Sequence, residues 1–139
     1  MSIILALTTV TYAKAKSLLP EQLEERAVFE VDIDMQKAYI SGRCYMLRKE
    51  NTIVASIINE FGVSIADYTY DTIKCKTKIH SLFSKLDHWY IKKILKKDIT
   101  SIMKLLDKGE CKHINSKRNM IYTFTPITST TRTDNDAVN

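Results

Sequence analysis

Residues 73–95 read IKCKTKIHSLFSKLDHWYIKKIL, and the spacing of the apolar side chains changes within this stretch. Up to His80, small or apolar residues alternate with Lys and His, which is typical of a half-buried strand. After Ser84 the apolar residues recur every three or four positions, which is typical of a helix that packs on one side. The stretch therefore predicts a strand followed directly by a helix, and with it an α+β fold.

Four more strands are predicted upstream, separated by short polar connections. Residues 28–35 (VFEVDIDM) alternate strictly between apolar and acidic side chains. Residues 39–48, 52–61 and 63–71 are rich in β-branched and aromatic side chains, and Gly42 suits a bulge or a sharp bend. Because short connections join neighbouring strands, we expect the five strands to form an antiparallel meander.

Downstream, the helical pattern predicts either one helix or a pair. Ser84 and Asp87 have the spacing of a helix start, and Asp98 could cap a second helix that ends near Gly109. Residues 120–125 (MIYTFT) offer a sixth strand. The pattern predicts an antiparallel sheet of five or six strands with a helix or helix pair covering one face.

The domain organisation follows from length and composition. A chain of 139 residues with 45% hydrophobic and 27% charged residues suits one globular domain, which we place at residues 16–125. Residues 126–139 are polar and nearly free of large apolar side chains, which predicts a disordered tail.

Residues 1–15 predict export. They contain a short apolar run and the small residues Ala13 and Ala15, which favour a secretory signal peptide cleaved after Ala15. No Lys or Arg precedes the apolar run, so an ordinary hydrophobic arm is the alternative. Export would place the protein in the periplasm or on the periplasmic face of the outer membrane.

The charges are unevenly distributed. Residues 21–34 hold six acids and one base, a net charge of −5, whereas residues 74–118 hold thirteen Lys or Arg and four acids, a net charge of +9. The basic half could contact the phosphates of an anionic membrane surface or of nucleic acid, or could simply be solvated. The candidate anionic contacts are Trp89, Lys92, Lys93, Lys96 and Lys97.

No motif for catalysis, a cofactor or a metal is present in the sequence. Phosphate-binding glycine loops, zinc-protease motifs and nucleophile elbows are absent. The three cysteines, Cys44, Cys75 and Cys111, lack metal-ligand spacing and are best interpreted as small hydrophobic side chains, with a single disulfide left open. We therefore predict a protein that is not an enzyme and that uses neither a cofactor nor a metal.

Several segments together carry a resemblance. They are Leu18-Leu19-Pro20-Glu21, Ile40-Ser41-Gly42, Ile58-Asn59-Glu60-Phe61-Gly62, Asp67-Tyr68, Leu86-Asp87 and the run from Ile91 to Asp98. Over residues 18–106 the chain resembles a family of small, uncharacterised cell-envelope proteins of Gram-negative bacteria, many of them predicted lipoproteins. Their element order is similar to the open β-barrel of outer-membrane lipoprotein carriers. The first cysteine here is Cys44, within a predicted strand, so the resemblance carries over no lipid-anchoring cysteine.

The resemblance implies a curved sheet, an open half-barrel, that holds a lipid acyl chain or a lipoprotein in an apolar cavity. One face of the sheet would line this cavity: Phe29, Val31, Ile33, Ile40, Met46, Ile58 and Ile65. A cavity of several hundred cubic ångströms is the expected size for a ligand site. The alternative is a basic module that binds nucleic acid, which export would disfavour. Its contacts would be Lys74, Lys76, Lys78 and the four lysines of residues 92–97.

Overall fold

A computed structural model describes residues 16–127, which form seven strands and one long helix. The strands are β1 (Arg26–Met35), β2 (Ala38–Lys49), β3 (Thr52–Asn59), β4 (Ser64–Asp71), β5 (Lys76–Leu82), β6 (Lys112–Asn115) and β7 (Met120–Pro126). A short 3₁₀ turn, Ser84–Leu86, precedes the helix α1 (Trp89–Asp107). The strands make one antiparallel sheet that curls into a half-barrel, which confirms the predicted α+β class. There are seven strands instead of the predicted five or six.

The strand order is β5-β4-β3-β2-β1-β7-β6. The first five strands form the predicted meander, each antiparallel to the one before. Helix α1 then crosses one face of the sheet and packs against both β5 and β6. The β6–β7 hairpin returns to pair with β1, so β5 and β6 are the two edges of the sheet.

Alternation along the strands separates two faces, which we call the inner face, under α1, and the outer face. In β1, Phe29, Val31 and Ile33 are buried on the inner face, while the acidic residues between them point outward. In β5, Thr77 and Ile79 are buried between outward lysines. Strand β1 behaves as its alternation predicts. In β5 this holds only from Lys76 onward: residues 73–75, predicted as part of the strand, form a turn in which Ile73 is exposed and Cys75 has a φ of +55°.

The core lies between the inner face and the second half of α1. Its largest fully buried side chains are Phe29, Val31, Cys44, Ile53, Tyr68, Ile102, Met103, Leu106, Tyr122 and Phe124. The Tyr68 hydroxyl lies 3.6 Å from the Cys44 sulfur and donates to the Met103 sulfur at 3.4 Å. All three cysteines are free, so no disulfide contributes to this core.

Helix α1 is one continuous helix, so the predicted second helix start at Asp98 is wrong. Asp98 lies in its middle and is buried, because partners on the neighbouring hairpin satisfy its carboxylate. The predicted start at Ser84 is the 3₁₀ turn, and α1 begins at Trp89. The predicted end is confirmed: Gly109, at φ +84°, donates its N–H to the Leu106 carbonyl.

The predicted signal peptide, residues 1–15, and the predicted tail from residue 128 onward lie outside the described residues. Strand β7 runs one residue beyond the predicted boundary, to Pro126, and the Ile127 N–H then donates to the Val28 carbonyl. Among the described residues, no helix combines the length and the apolar character that a membrane span needs.

The buried core predicts a loss of stability in alkali. Burial raises the pKa of Cys44 to about 12 and raises the pKa of Tyr68 well above its ordinary value. Because these pKa values are higher in the folded state, their contribution is complete at neutral pH and is lost as pH rises above the unfolded values. Above pH ~10 the unfolded chain loses the protons of these two groups while the folded chain keeps them. Each of the two groups should then lower the free energy of unfolding by about 1.4 kcal/mol per pH unit.

Urea unfolding between pH 8 and pH 11 measures this slope. We expect Tyr68→Phe to make this slope shallower by the contribution of one titrating group, since the ring stays buried and only the ionisable hydroxyl is lost. An unchanged slope in the variant would contradict the prediction.

Candidate functional site: an apolar cavity beside a basic cleft

An apolar cavity of about 130 Å³ lies between the inner face and the first half of α1. Aliphatic side chains provide most of its wall, together with the rings of Tyr122 and Phe124. The lining residues are Ile33, Met35, Ile40, Ile57, Ile65, Ala66, Leu86, Ile91, Ile94, Leu95, Ile99, Met120, Tyr122 and Phe124.

The cavity lies where the helix packs least tightly. In the second half of α1, Ile102 and Leu106 are completely buried, whereas Ile91 and Ile94 in the first half are only half-buried. Met35, Ile40 and Met120, at the same end of the sheet, are also partly exposed. The cavity is therefore bordered by partly exposed side chains at the end of the half-barrel where α1 begins.

Three of the seven predicted lining residues, Ile33, Ile40 and Ile65, do line this cavity. Three others, Phe29, Val31 and Met46, are buried in the core but do not reach it.

Ile58 does not lie on the inner face, so its predicted place in the lining is wrong. Strand alternation buries Ile57, which pairs with Cys44, and turns its neighbour Ile58 to the outer face, where it borders a shallow depression. Ile57 lines the cavity instead. The volume is also smaller than the several hundred cubic ångströms that we expected.

A second concavity, the basic cleft, opens between α1 and the β6–β7 hairpin, with a volume of about 630 Å³. Four cationic side chains line it: Lys93 and Lys97 from the helix, and Lys117 and Arg118 from the hairpin turn. The remaining lining residues are Trp89, Tyr90, Ile94, Asp98, Ser101, His113, Ile114, Asn115 and Ser116.

Two aromatic side chains line the basic cleft at the end where α1 begins. Trp89 is 79% exposed and Tyr90 is 50% exposed, and their rings meet edge to face at 5.9 Å. Tyr90 also stacks on the ring of His88 at 5.6 Å. Aromatic rings that are this exposed add little to the core, so they are free to contact a ligand.

One side of the basic cleft is fixed by a buried carboxylate. Asp98 is only 4% exposed and accepts a hydrogen bond from the Tyr122 hydroxyl at 2.6 Å. The Asn115 amide donates to both carboxylate oxygens, at 3.1 and 2.9 Å, and His113 Nε2 lies 3.5 Å from one of them. Burial, and then the hydrogen bond to Asp98, raise the pKa of Tyr122. Asp98 thereby ties α1 to the hairpin.

The predicted anionic contacts divide between two surfaces. Trp89, Lys93 and Lys97 line the basic cleft, whereas Lys92 and Lys96 are exposed on α1 outside it. The lysines of the nucleic-acid alternative are divided as well, since Lys76 and Lys78 lie on the outer face of the edge strand β5.

The sequence did not identify the hairpin's contribution, Lys117 and Arg118, or the role of Asp98. One signal was available. Asp98 follows Leu95 by three positions and precedes Ile102 by four, which places it on the apolar side of the helix. A carboxylate in that position needs a buried partner.

The basic cleft and the cavity are neighbours. Ile94 lines both of them. Tyr122 lines the cavity with its ring and reaches, through its hydroxyl, the carboxylate of Asp98 in the cleft. Within residues 16–127, no group of three or more His, Cys, Asp or Glu side chains could hold a metal ion.

Comparison with known proteins returns no family model, no curated protein and no solved structure that matches this chain. The resemblance to cell-envelope proteins and lipoprotein carriers therefore stays a prediction.

Proposed function

We propose that this protein is a binding protein, not an enzyme, and that it holds an apolar chain in the cavity under α1. The observation that carries the proposal is the lining of that cavity, which consists of aliphatic and aromatic side chains. A lipid acyl chain or the acyl group of a lipoprotein has the matching chemistry.

The size of the cavity limits the ligand. An engineered apolar cavity of roughly 150 Å³ stays dry and binds benzene, so this cavity of about 130 Å³ suits a chain end of about six carbons. At ~24 cal/mol per Å³, leaving such a volume empty would lower stability by about 3 kcal/mol. A ligand that fills it recovers part of this loss.

Export to the cell envelope belongs to the same proposal. Its support is the apolar run and the small residues of residues 1–15, together with the resemblance over residues 18–106. An envelope location would bring the protein close to acyl chains.

Hexanol is a direct probe of the cavity, because it offers six carbons and no charge. Burying six CH₂-sized groups is worth about 5 kcal/mol at ~0.8 kcal/mol each, so we expect a dissociation constant of about 0.3 mM. Calorimetric titration measures it.

Ala66→Ile tests whether the binding takes place in the cavity. Ala66 is buried in β4 and lines the cavity, so the larger side chain should fill it. We expect hexanol binding to weaken at least about tenfold and the free energy of unfolding to rise by about 0.5–2 kcal/mol.

Ala55→Ile is the matched control. Ala55 is equally buried on the neighbouring strand β3, where it pairs with Met46 and Tyr68, and it does not line the cavity. Overpacking there should cost about 1–3 kcal/mol and leave hexanol binding intact. Undiminished hexanol binding by Ala66→Ile would contradict the proposal.

A second function, binding of single-stranded nucleic acid, is favoured by the exposed Trp89 and Tyr90 beside four cations. Bases stack on aromatic rings and phosphates pair with Lys and Arg. Such binding would fall steeply with salt and would be indifferent to Ala66→Ile, which separates it from the first function.

A further inference from the structure

We propose that the basic cleft binds the anionic head group of the ligand whose chain occupies the cavity. This inference rests on the proposed function and extends it to a ligand class, an amphiphile with a phosphate-like head and a chain end of about six carbons.

The position of the basic cleft supports a single ligand for both concavities. Ile94 lines both, and its helix neighbours divide between them: Ile91 lines the cavity and Lys93 lines the cleft. The hairpin is divided in the same way, with Arg118 in the cleft and Met120 in the cavity. A head group in the cleft is thus only one side chain away from the space that would hold its tail.

The charge of the basic cleft favours an anion. Four cations line it, and Asp98 is the one acidic residue among the lining residues. The carboxylate of Asp98 is buried and already accepts hydrogen bonds from Tyr122 and Asn115. Its hydrogen-bonding capacity is thus used within the protein, and the four cations outnumber its single negative charge.

The cations come from two elements that face each other. Lys93 and Lys97 are one helical turn apart on α1, where like charges repel each other unless an anion lies between them. Lys117 and Arg118 approach from the turn between β6 and β7. An anion held between helix and hairpin can contact both pairs, which a lone helix face would not offer.

The aromatic residues suit an amphiphile in this position. Trp89 and Tyr90 have an apolar body and a polar edge, the character that is favoured where hydrocarbon meets a charged head group. An amphiphile explains the apolar cavity and the basic cleft together. Nucleic acid would explain the cleft alone, so it becomes an outcome of the test.

Three probes separate the two halves of the ligand: hexanol for the chain, inorganic phosphate for the head, and hexyl phosphate for both. Each is titrated by calorimetry into the full chain, and Trp89, the one tryptophan of the sequence, reports occupancy of the basic cleft by fluorescence. We expect hexyl phosphate to bind about tenfold more tightly than hexanol and to change Trp89 fluorescence, because charged hydrogen bonds add to the burial of the chain.

The double variant Lys93→Gln/Lys97→Gln should bind hexyl phosphate no more tightly than hexanol, while its hexanol affinity stays that of the natural chain. The control is Lys92→Gln/Lys96→Gln, which removes the same charge from the same helix outside the basic cleft and should keep the advantage of hexyl phosphate.

The failures of the two proposals are distinguishable. If hexanol binds but hexyl phosphate binds no more tightly, the head-group site is overturned and the proposed function stands. If hexyl phosphate keeps its advantage in Lys93→Gln/Lys97→Gln, the head group does not bind in the basic cleft and the inference is overturned. If only inorganic phosphate binds, both proposals fail. If a single-stranded oligonucleotide displaces hexyl phosphate at a lower concentration than hexyl phosphate itself binds, the basic cleft is a nucleic-acid site and the inference is overturned, while hexanol binding decides the proposed function.

Discussion

Gly42→Ala is expected to lower the free energy of unfolding by about 3 kcal/mol or more, a large part of the stability of a domain of this size. Gly42 lies within β2, at a point where the backbone of β3 approaches it closely. A Cβ atom at this position would lie 2.1 Å from the Ile58 carbonyl oxygen and 2.7 Å from the Asn59 Cα. Both are backbone atoms, so no side chain can rotate away to make room.

The clash is hard to relieve because the strands on both sides are paired. Gly42 pairs with Val31 of β1 and with Asn59 of β3. Beyond β3, Ile58 pairs with Ser64 of β4 next to a register shift. Moving the β3 backbone outward would disturb both ladders, so the methyl group costs more than an ordinary change on a strand.

Gly62→Ala is the matched control for Gly42→Ala. Gly62 has a φ of +82°, and a methyl group added to it would meet no atom within 4 Å. Alanine there would therefore cost only the strain of a left-handed backbone, about 1 kcal/mol. Urea unfolding of both variants compares a backbone clash with backbone strain. Equal losses in the two variants would show that the approach of β3 to Gly42 can relax.

The sequence predicted the strands whose alternation is strict. In β1, Glu30 and Asp32 each separate two buried side chains, so a shift of one residue would expose the whole apolar set. The alternation at residues 73–80 predicted a strand that began three residues too early, because the Asp71 carboxylate accepts the N–H groups of Ile73 and Lys74 and closes a turn there. Prediction was weaker in β3, where Ile57 and Ile58 are adjacent and equally apolar. The signal that distinguishes them lies upstream in β3: Ile57 shares its face with the apolar Ile53 and Ala55, whereas Ile58 shares its face with the polar Ser56.

Strand β6 was not predicted because it has only four residues, Lys112–Asn115, and no run of apolar side chains. It forms because β7 pairs with it and because its Asn115 side chain reaches Asp98 on α1. The basic cleft depends on this hairpin, so half of its cations lay in a segment without a sequence signal. The lysines of α1 were predicted, but what faces them was not.

Asp98→Ala is expected to cost about 2–6 kcal/mol of stability, the second large effect, at roughly 1–3 kcal/mol for each of two donors that lose their acceptor. The side chain is buried, so alanine would leave the Tyr122 hydroxyl and the Asn115 amide without their acceptor. Asp107→Ala on the same helix is the matched control. Asp107 is exposed and accepts from the Ser17 hydroxyl at 2.8 Å, so its loss should cost less than about 1 kcal/mol.

A double-mutant cycle with Tyr122→Phe separates the hydrogen bond from general damage to the helix. Tyr122→Phe alone should cost about 1.5–3 kcal/mol, because a hydrogen bond to a charged acceptor is lost while the ring stays packed. Since either single variant breaks the same 2.6 Å contact, the double variant should lose less than the sum of the two, by about 1 kcal/mol or more. Strictly additive losses would mean that Asp98 stabilises the fold without Tyr122.

The two variants should also affect binding differently. Tyr122→Phe keeps the ring that lines the cavity, so hexanol affinity should be close to that of the natural chain. Asp98→Ala releases the hairpin from α1 at the point where the basic cleft and the cavity meet, so Lys117 and Arg118 would no longer be held opposite Lys93 and Lys97. The advantage of hexyl phosphate over hexanol should then shrink in Asp98→Ala, even though the variant has lost a negative charge. Simple electrostatics predicts the opposite, a larger advantage, and titration of both probes decides between the two.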